Sequence, residues 1–374
     1  MTTSFGRLSR TAGGDLEDVK SSVPTIGPTQ SWTTKDLEDY SAFSNAFIRQ
    51  ERLGKGSEGV VYAYRHLTSG DVIAVKRPAK QIAATSFRTE MLNMKILGQH
   101  DHIVEFLGYS PSHGPLGSAI FLRLAEFGSL ESYRKEWCKQ EHSSGRLECI
   151  PESTMWKLVY DMALALKFLH NDFDVTIVHN DFKPGNLLVR APEGYDSQAG
   201  LPIKPVFILA DFSRLAAYPT REGEKPVKWN GTPEYAPPRA EQQGPVTPYT
   251  DMWGLGATIQ FFAFGFVPQM PRPMFIARRA QRGLNHPAID DKTTWATIAW
   301  RSAIPVVRRP LDASQDYYDD DPDIKDFQPY SPSINHVCEE LMRVKPEQRI
   351  TAHDLVECVE EMFHQKLAMT GHAE

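Results

Sequence analysis

Positive charge, cysteine and long apolar runs are all in short supply in this 374-residue chain. Its 41 Lys and Arg stand against 47 Asp and Glu, a formal net charge of −6. No broad basic field exists to hold a phosphate backbone, so nucleic acid is not expected as a partner. The four cysteines, Cys138, Cys149, Cys338 and Cys358, are too widely spaced for a CxxC metal pattern or a dense disulfide framework, which points to a reducing compartment. Residues 1–20 mix Arg, Lys, Asp and Glu without an apolar core, and Thr2 stands where myristoylation needs glycine. The expectation is therefore an intracellular protein, cytoplasmic or nuclear. The apolar stretch Met252 to Val267 carries no charge, but it is short for a span and is interrupted by Gly254, Gly256, Gln260 and Gly265. It reads as a buried core helix, and no membrane span is expected.

What is present is enough apolar material, 41% of residues with 24% charged, to fill one large two-lobed unit. Residues 1–42 are rich in Ser, Thr, Gly and Pro with scattered hydrophobics, so they are expected to form a flexible leader suited to engaging a regulatory partner. Alternating and β-branched residues at Phe47-Ile48, Val60-Val61-Tyr62 and Val72-Ile73-Ala74-Val75 predict three strands, with two more at 104–109 and 120–124. Between them, Phe87, Met91, Met94 and Leu97 recur at helical spacing. From Ser153, read as an N-cap, Trp156, Val159, Tyr160, Ala163, Leu166 and Leu169 predict a long amphipathic helix. A strand pair at 187–189 and 206–209 flanks a loop, and helices are expected over 251–264, 334–344 and 352–365. The acidic run 316–326 reads as a solvated connection; the basic cluster Arg278 to Arg282 and Asp319 to Asp321 read as solvated faces or docking patches.

Gly54-Lys55-Gly56-Ser57-Glu58-Gly59 matches a GxGxxG pattern, which by itself fits a plain turn, a dinucleotide loop or another phosphate cradle. A strand follows the last glycine where a Rossmann unit would have a helix, and Val72-Ile73-Ala74-Val75-Lys76 comes soon after. Lys76 ends an apolar strand, where a lysine can simply snorkel to solvent. Farther on, His179-Asn180-Asp181-Phe182-Lys183-Pro184-Gly185-Asn186 is followed by Asp211-Phe212-Ser213. Asp181, Asn186 and Asp211 are the residue types phosphoryl transfer needs: a carboxylate to orient a hydroxyl and hard oxygen ligands for magnesium beside a triphosphate.

This ordered set resembles the eukaryotic protein kinase superfamily over roughly residues 46–365. The resemblance implies a bilobal α+β fold: a small antiparallel β lobe with one main helix (43–124), a larger mainly helical lobe (125–365) and a tail (366–374). It makes Asp181 the catalytic aspartate, Lys183 the lysine offsetting charge on the transferred phosphoryl, and Asn186 and Asp211 the Mg2+ ligands. Lys76, paired with Glu90, would hold the ATP phosphates under Gly54, Lys55, Gly56 and Gly59. Val61, Ala74 and Leu188 would sandwich adenine, Arg123 and Ala125 would bond it from the hinge, and Met94, Phe106, His179 and Phe212 would stack between the lobes. Lys183-Pro184 is similar to the serine/threonine class, which implies a protein substrate with a Ser or Thr acceptor. Gly231 to Pro237 resembles the peptide-positioning end of an activation segment, Asp251 to Gly256 the start of the central large-lobe helix, and Arg349 a late structural arginine.

Three positions depart from that pattern. Asn180 replaces an arginine that grips a phosphorylated activation loop, and a neutral amide cannot make that charge-assisted clamp. Ser213 replaces a glycine, adding a Cβ that restricts positive φ. Pro238 replaces a glutamate that pairs with the late arginine, so Arg349 is expected to lack its partner unless Glu234 or Glu241 substitutes, with a mobile activation segment as the consequence. The departures keep a second reading open, an ATP-binding pseudokinase acting as scaffold or regulator; a small-molecule kinase is a third.

Overall fold

The residues expected to form strands build a five-stranded antiparallel sheet of β1 (Phe47–Lys55), β2 (Gly59–His66), β3 (Val72–Pro78), β4 (Phe106–Ser110) and β5 (Ala119–Arg123), in the order β1-β2-β3-β5-β4. The computed structural model describes residues 32–56, 59–79, 84–114, 117–139, 150–196, 198, 200–220, 222–318, 321, 324 and 327–370. Both faces of the sheet are covered, which is why its central strands read as apolar runs. Ala74, Ile120 and Leu122 turn toward α3 (Ala84–Leu97) and pack with its Phe87, Met91, Met94 and Leu97 in the main core. Ile73, Val75, Phe121 and Tyr64 point the opposite way, as the two-residue period of a strand requires.

That outer face is closed by residues expected to belong to a flexible leader. α1 (Thr34–Glu38) and α2 (Tyr40–Ala46) bring Trp32, Leu37 and Phe43 onto it, each at most 7% exposed. The leader expected to reach residue 42 is thus packed from residue 32 onward, while residues 1–31 lie outside the described region. Three apolar anchors in an otherwise polar stretch were enough, because an exposed apolar sheet face was waiting for them.

The larger lobe is organised by α4 (Leu130–Trp137), α5 (Glu152–Asn171), α6 (Arg239–Gln243), α7 (Pro248–Phe264), α8 (Arg272–Gln281), α9 (Lys292–Trp295), α10 (Ile298–Ala303), α11 (Pro332–Leu341) and α12 (Ala352–Thr370). α5 starts earlier than expected, with Pro151 at the N-cap and Ser153 inside the first turn. α7 is the apolar run, and residues 250–260 are buried on every side, so it is a core helix as expected. No helix among the described residues is long and apolar enough to cross a membrane. α12 runs past the boundary expected at 365.

The acidic connection is not simply solvated. Asp321 pairs with the buried Arg309 at 2.8 Å, and Tyr318, Ile324 and Phe327 are buried beside it. An unpaired Arg309 would be costly there, so the carboxylate is drawn in. Asp319 and Asp320 lie outside the described residues. The short helices α8 to α10 were not foreseen; they enclose a satellite core of Met270, Phe275, Trp295 and Ile304.

Two further ribbons carry the loops that matter. β6 (Thr176–Val178) pairs with β9 (Ala216–Tyr218), and β7 (Leu187–Arg190) pairs with β8 (Val206–Leu209). They hold residues 179–186 and 210–215 side by side. Gly254 of α7 lets the first of these loops approach: a Cβ there would meet Phe182 Cβ at 2.7 Å.

Candidate active site

The loop after β6 is pinned from below by one buried carboxylate. Asp251, on α7, accepts from His179 N at 2.7 Å and from Asn180 N at 2.9 Å, and lies 3.0 Å from His170 Nε2. Asn180 takes a positive φ of 66°, a conformation asparagine tolerates better than most residues, and the turn it makes aims Asp181 into the cleft. The sequence marked Asp251 only as the start of a helix. The signal that could have found it was an acid at the head of a wholly apolar run.

Asp181 is 5% exposed and closely held. Its Oδ1 accepts from Thr232 N and Thr232 Oγ1, both at 2.8 Å, and its Oδ2 from Lys183 Nζ at 2.8 Å. Lys183 Nζ also lies 2.7 Å from Thr232 Oγ1, and Asn186 Nδ2 donates to the Asp181 carbonyl at 2.9 Å. The sequence marks Thr232 only as part of the Gly231–Pro237 segment; here its hydroxyl bridges Asp181 and Lys183. The 3-10 turn Pro184–Asn186 leads straight into β7, which fixes Asn186 facing Asp181.

On the other side of the cleft, Lys76 Nζ contacts both Glu90 oxygens, at 2.7 and 2.8 Å, and Asp211 Oδ1 at 3.4 Å. β3 supplies the lysine and α3 the glutamate, which is 2% exposed. Burial pushes the Asp211 carboxyl up, but Lys76, the Ser213 hydroxyl, His179 and Lys183 together outweigh it and hold the group at about 2. Asp211 itself occupies the left-handed region, at φ 65°. Ser213 does not need positive φ; it sits in a 3-10 turn and donates to Asp211 Oδ1 at 2.9 Å, a bond glycine could not make. Asn93 of α3 anchors the same turn through the Phe212 carbonyl at 2.7 Å.

The remaining expected residues fall around this centre. Gly54, Lys55 and Gly59 sit on the β1–β2 hairpin, and Gly56 N donates to Gly59 O at 2.8 Å; Ser57 and Glu58 lie outside the described residues. A Cβ on Gly59 would meet Arg77 O at 2.6 Å, so glycine is required for β2 to approach β3 there. Val61, Ala74 and Leu188 belong to one apolar cluster. The Arg123 N–H is donated to Glu105 O at 3.0 Å, so any hinge bond from Arg123 would come from its carbonyl. Met94, Phe106 and Phe212 share the main core, and the His179 ring meets Phe212 edge-on, with centroids 5.5 Å apart.

The activation segment is fastened at three points. Asn180 Nδ2 donates to Asn230 Oδ1 at 3.0 Å and lies 3.4 Å from the Arg214 carbonyl, while Arg214 Nη1 donates to the Asn230 carbonyl. Glu234 is bidentate to Arg301 of α10, at 2.6 and 2.8 Å. The expected loss of a partner for Arg349 does not occur: Glu241, three residues beyond Pro238, pairs with it at 2.6 and 3.0 Å. α6 places that carboxylate because it begins at Arg239 and turns its first acidic residue inward.

Residues 47–359 match the family model described as protein kinase domain. The chain is 29% identical over 258 residues, 68% of its length, to the cytokinesis protein sepH of Emericella nidulans. It is 28% identical to the probable serine/threonine-protein kinase zyg-1 of Caenorhabditis elegans over 58% of its length, and 25% identical to the serine/threonine-protein kinase atg1 of Schizosaccharomyces pombe over 63%. These alignments span 16%, 27% and 30% of the three relatives, so the chain matches only a part of each.

Proposed function

The chain belongs to the protein kinase family, and from that membership we propose that it transfers the γ-phosphoryl of Mg·ATP to a Ser or Thr hydroxyl of a protein. The observation that carries this reading is the bidentate Lys76–Glu90 pair with Asp211 alongside, present together with the Asp181–Lys183–Thr232 cluster. The two clusters supply together the charged groups that phosphoryl transfer needs, more than a binding-only scaffold requires, which supports the reading.

In this reading Asp181 orients the substrate hydroxyl and receives its proton. Its contact to Asn186 Nδ2, long at 3.4 Å, is the one a substrate hydroxyl would displace. Lys183 and Lys76 face the phosphoryl and the α- and β-phosphates. Asp211, ionised well below neutral pH, and the Asn186 side-chain oxygen, with its Nδ2 turned to Asp181, offer the hard oxygen donors that Mg2+ takes beside phosphates. The metal's chemistry would be to bridge and neutralise phosphate oxygens. Val61, Ala74 and Leu188 would pack the adenine, with Arg123 and Ala125 bonding its edge and Gly54, Lys55, Gly56 and Gly59 covering the phosphates. Cys138, Cys338 and Cys358 are unbridged, in keeping with an intracellular setting.

The test is phosphate transfer from labelled Mg·ATP to the protein itself and to generic Ser/Thr proteins, beside Asp181→Asn and an ATP-binding titration. Transfer that disappears in Asp181→Asn while ATP binding persists is the expected result. ATP binding with no transfer under any condition would instead support the scaffold reading.

A further inference from the structure

Positive charge without counter-ions gathers on α8 and α9, in a chain whose net charge is −6. Residues 272–300 carry five basic side chains, Arg272, Arg278, Arg279, Arg282 and Lys292, against Asp290 and Asp291. None of the five is in an ion pair among the described residues, whereas Arg301, Arg308 and Arg309 just beyond them hold Glu234, Glu339 and Asp321. Helix stability explains part of this: Arg278 and Arg279, in the last turn of α8, complement its negative end. Arg272 does the opposite, because it opens the helix, where a cation opposes the dipole, and no acid stands in that first turn.

Two of these arginines are held by aromatic rings. Arg272 lies over Trp295, 5.5 Å from the ring centroid, and Arg279 over Trp300 and Phe275 at 5.1 and 5.7 Å. The rings brace one another edge-on, Trp295 meeting Phe275 at 6.2 Å and Trp300 at 5.5 Å, and Trp295 is 1% exposed. Stacking fixes a guanidinium through its face and leaves its N–H edge for a partner. Of the Arg279 donors only Nε has one among the described residues, the Asn285 carbonyl at 2.7 Å, and Arg272 has none. Arg278 and Arg282 are exposed and four residues apart. Leu284 and Ile289, 46% and 57% exposed, stand beside them on a loop fastened by that Arg279 bond and by Trp295 Nε1, which donates to the Ala288 carbonyl at 2.9 Å.

We propose that α8, α9 and the loop between them form a docking surface for a protein segment rich in Asp and Glu. Arginine forks pair with carboxylates through two parallel bonds, and pre-positioned forks lose less freedom in doing so. Leu284 and Ile289 would take an apolar side chain of the same segment. A short segment meets only the local positive excess, since screening confines the field to about 8 Å at physiological salt. A membrane or a nucleic acid would also meet the rest of a chain whose balance is negative. The surface shares no residue with the phosphotransfer site, and its test needs no turnover.

The experiment titrates the full chain by anisotropy with a fluorescein-labelled peptide of Asp, Glu and Leu and with its Asn, Gln and Leu counterpart. Wild type is expected to prefer the acidic peptide, less so with added salt. The double variant Arg278→Glu, Arg282→Glu changes two exposed side chains that hold nothing in the fold, and should weaken acidic-peptide binding by about tenfold or more, as two exposed ion pairs at the upper end of their range imply. Arg272→Lys with Arg279→Lys keeps the charge and loses the planar fork, and should weaken it by about threefold. Thermal melts check that both variants fold. Equal binding of the two peptides by wild type, or acidic-peptide binding unmoved by the charge reversal, overturns the proposal; binding unmoved in the lysine variant overturns the role of the stacked pair. Phosphatidylserine vesicles or a DNA oligonucleotide that bind wild type more tightly than the acidic peptide, at matched charge, overturn the assignment to a protein segment.

Discussion

Glu241 Oε2 lies 2.6 Å from Arg349 Nη2, with the two side chains 5% and 0% exposed, and the pair ties the end of the activation segment to the loop before α12. Arg349 also donates to the Tyr249 and Arg343 carbonyls and lies over the Trp253 ring at 5.0 Å. Glu241→Ala would leave a buried guanidinium without its counter-charge. The expected loss is about 3–5 kcal/mol of stability, read as a lowered urea midpoint. Pro238→Glu should not add stability, because Arg349 is already satisfied.

Activity should not depend on a phosphorylated activation segment. Asn180 and Arg214 both hold Asn230, and Glu234 holds Arg301, so the segment is fastened without a phosphate. Phosphatase-treated protein is expected to transfer phosphate as fast as untreated protein. A large rate rise on phosphorylation at Thr220 would contradict this.

Thr232 predicts a sharper outcome. Its hydroxyl bonds Asp181 and Lys183, so Thr232→Val should slow transfer by about tenfold or more, with peptide KM little changed. Thr232→Asp sets a second carboxylate against Asp181 and should abolish transfer. Steady-state kinetics on the two variants, with ATP binding as the folding control, checks both.

The segment before β1 should be part of the stable small lobe. Phe43 is 1% exposed and packs on Phe47, Tyr64 and Phe121. Phe43→Ala is expected to cost about 3–5 kcal/mol and to raise hydrogen exchange in β2 and β3.

His113 should make that lobe acid-sensitive. The ring is fully buried among Tyr40, Phe43 and Phe121, neither nitrogen has a hydrogen-bond partner among the described residues, and burial, with Arg77 adding to it, holds its pKa down at about 4. The folded value lies below the unfolded 6.5, so the unfolded chain binds the proton first. Stability contributed by neutral His113 is present above about pH 6.5 and falls as pH drops toward 4. Thermal melts across that window should fall more steeply for wild type than for His113→Phe.

The motif residues were legible because their chemistry is local. Strands β1 to β3 and helix α3 announce themselves through period, while the roles of Asp181, Asn186 and Asp211 and the pairing of Lys76 with Glu90 came from the resemblance to the kinase pattern. The packed residues 32–46 were not legible, since a few apolar side chains in polar sequence have no meaning until the sheet face they cover exists. Asp321 reads as one more solvent acid until Arg309 is found buried beside it.

The sequence by itself thus determined which residue types stand at which loop and strand ends, because backbone period and turn chemistry act over a few residues. Only the tertiary structure decided how the departures are met: Glu241 takes the place Pro238 leaves, Ser213 bonds Asp211, and Asn180 reaches Asn230. Each is a contact between residues distant in the chain or reoriented by a turn, and distance in space is set by packing.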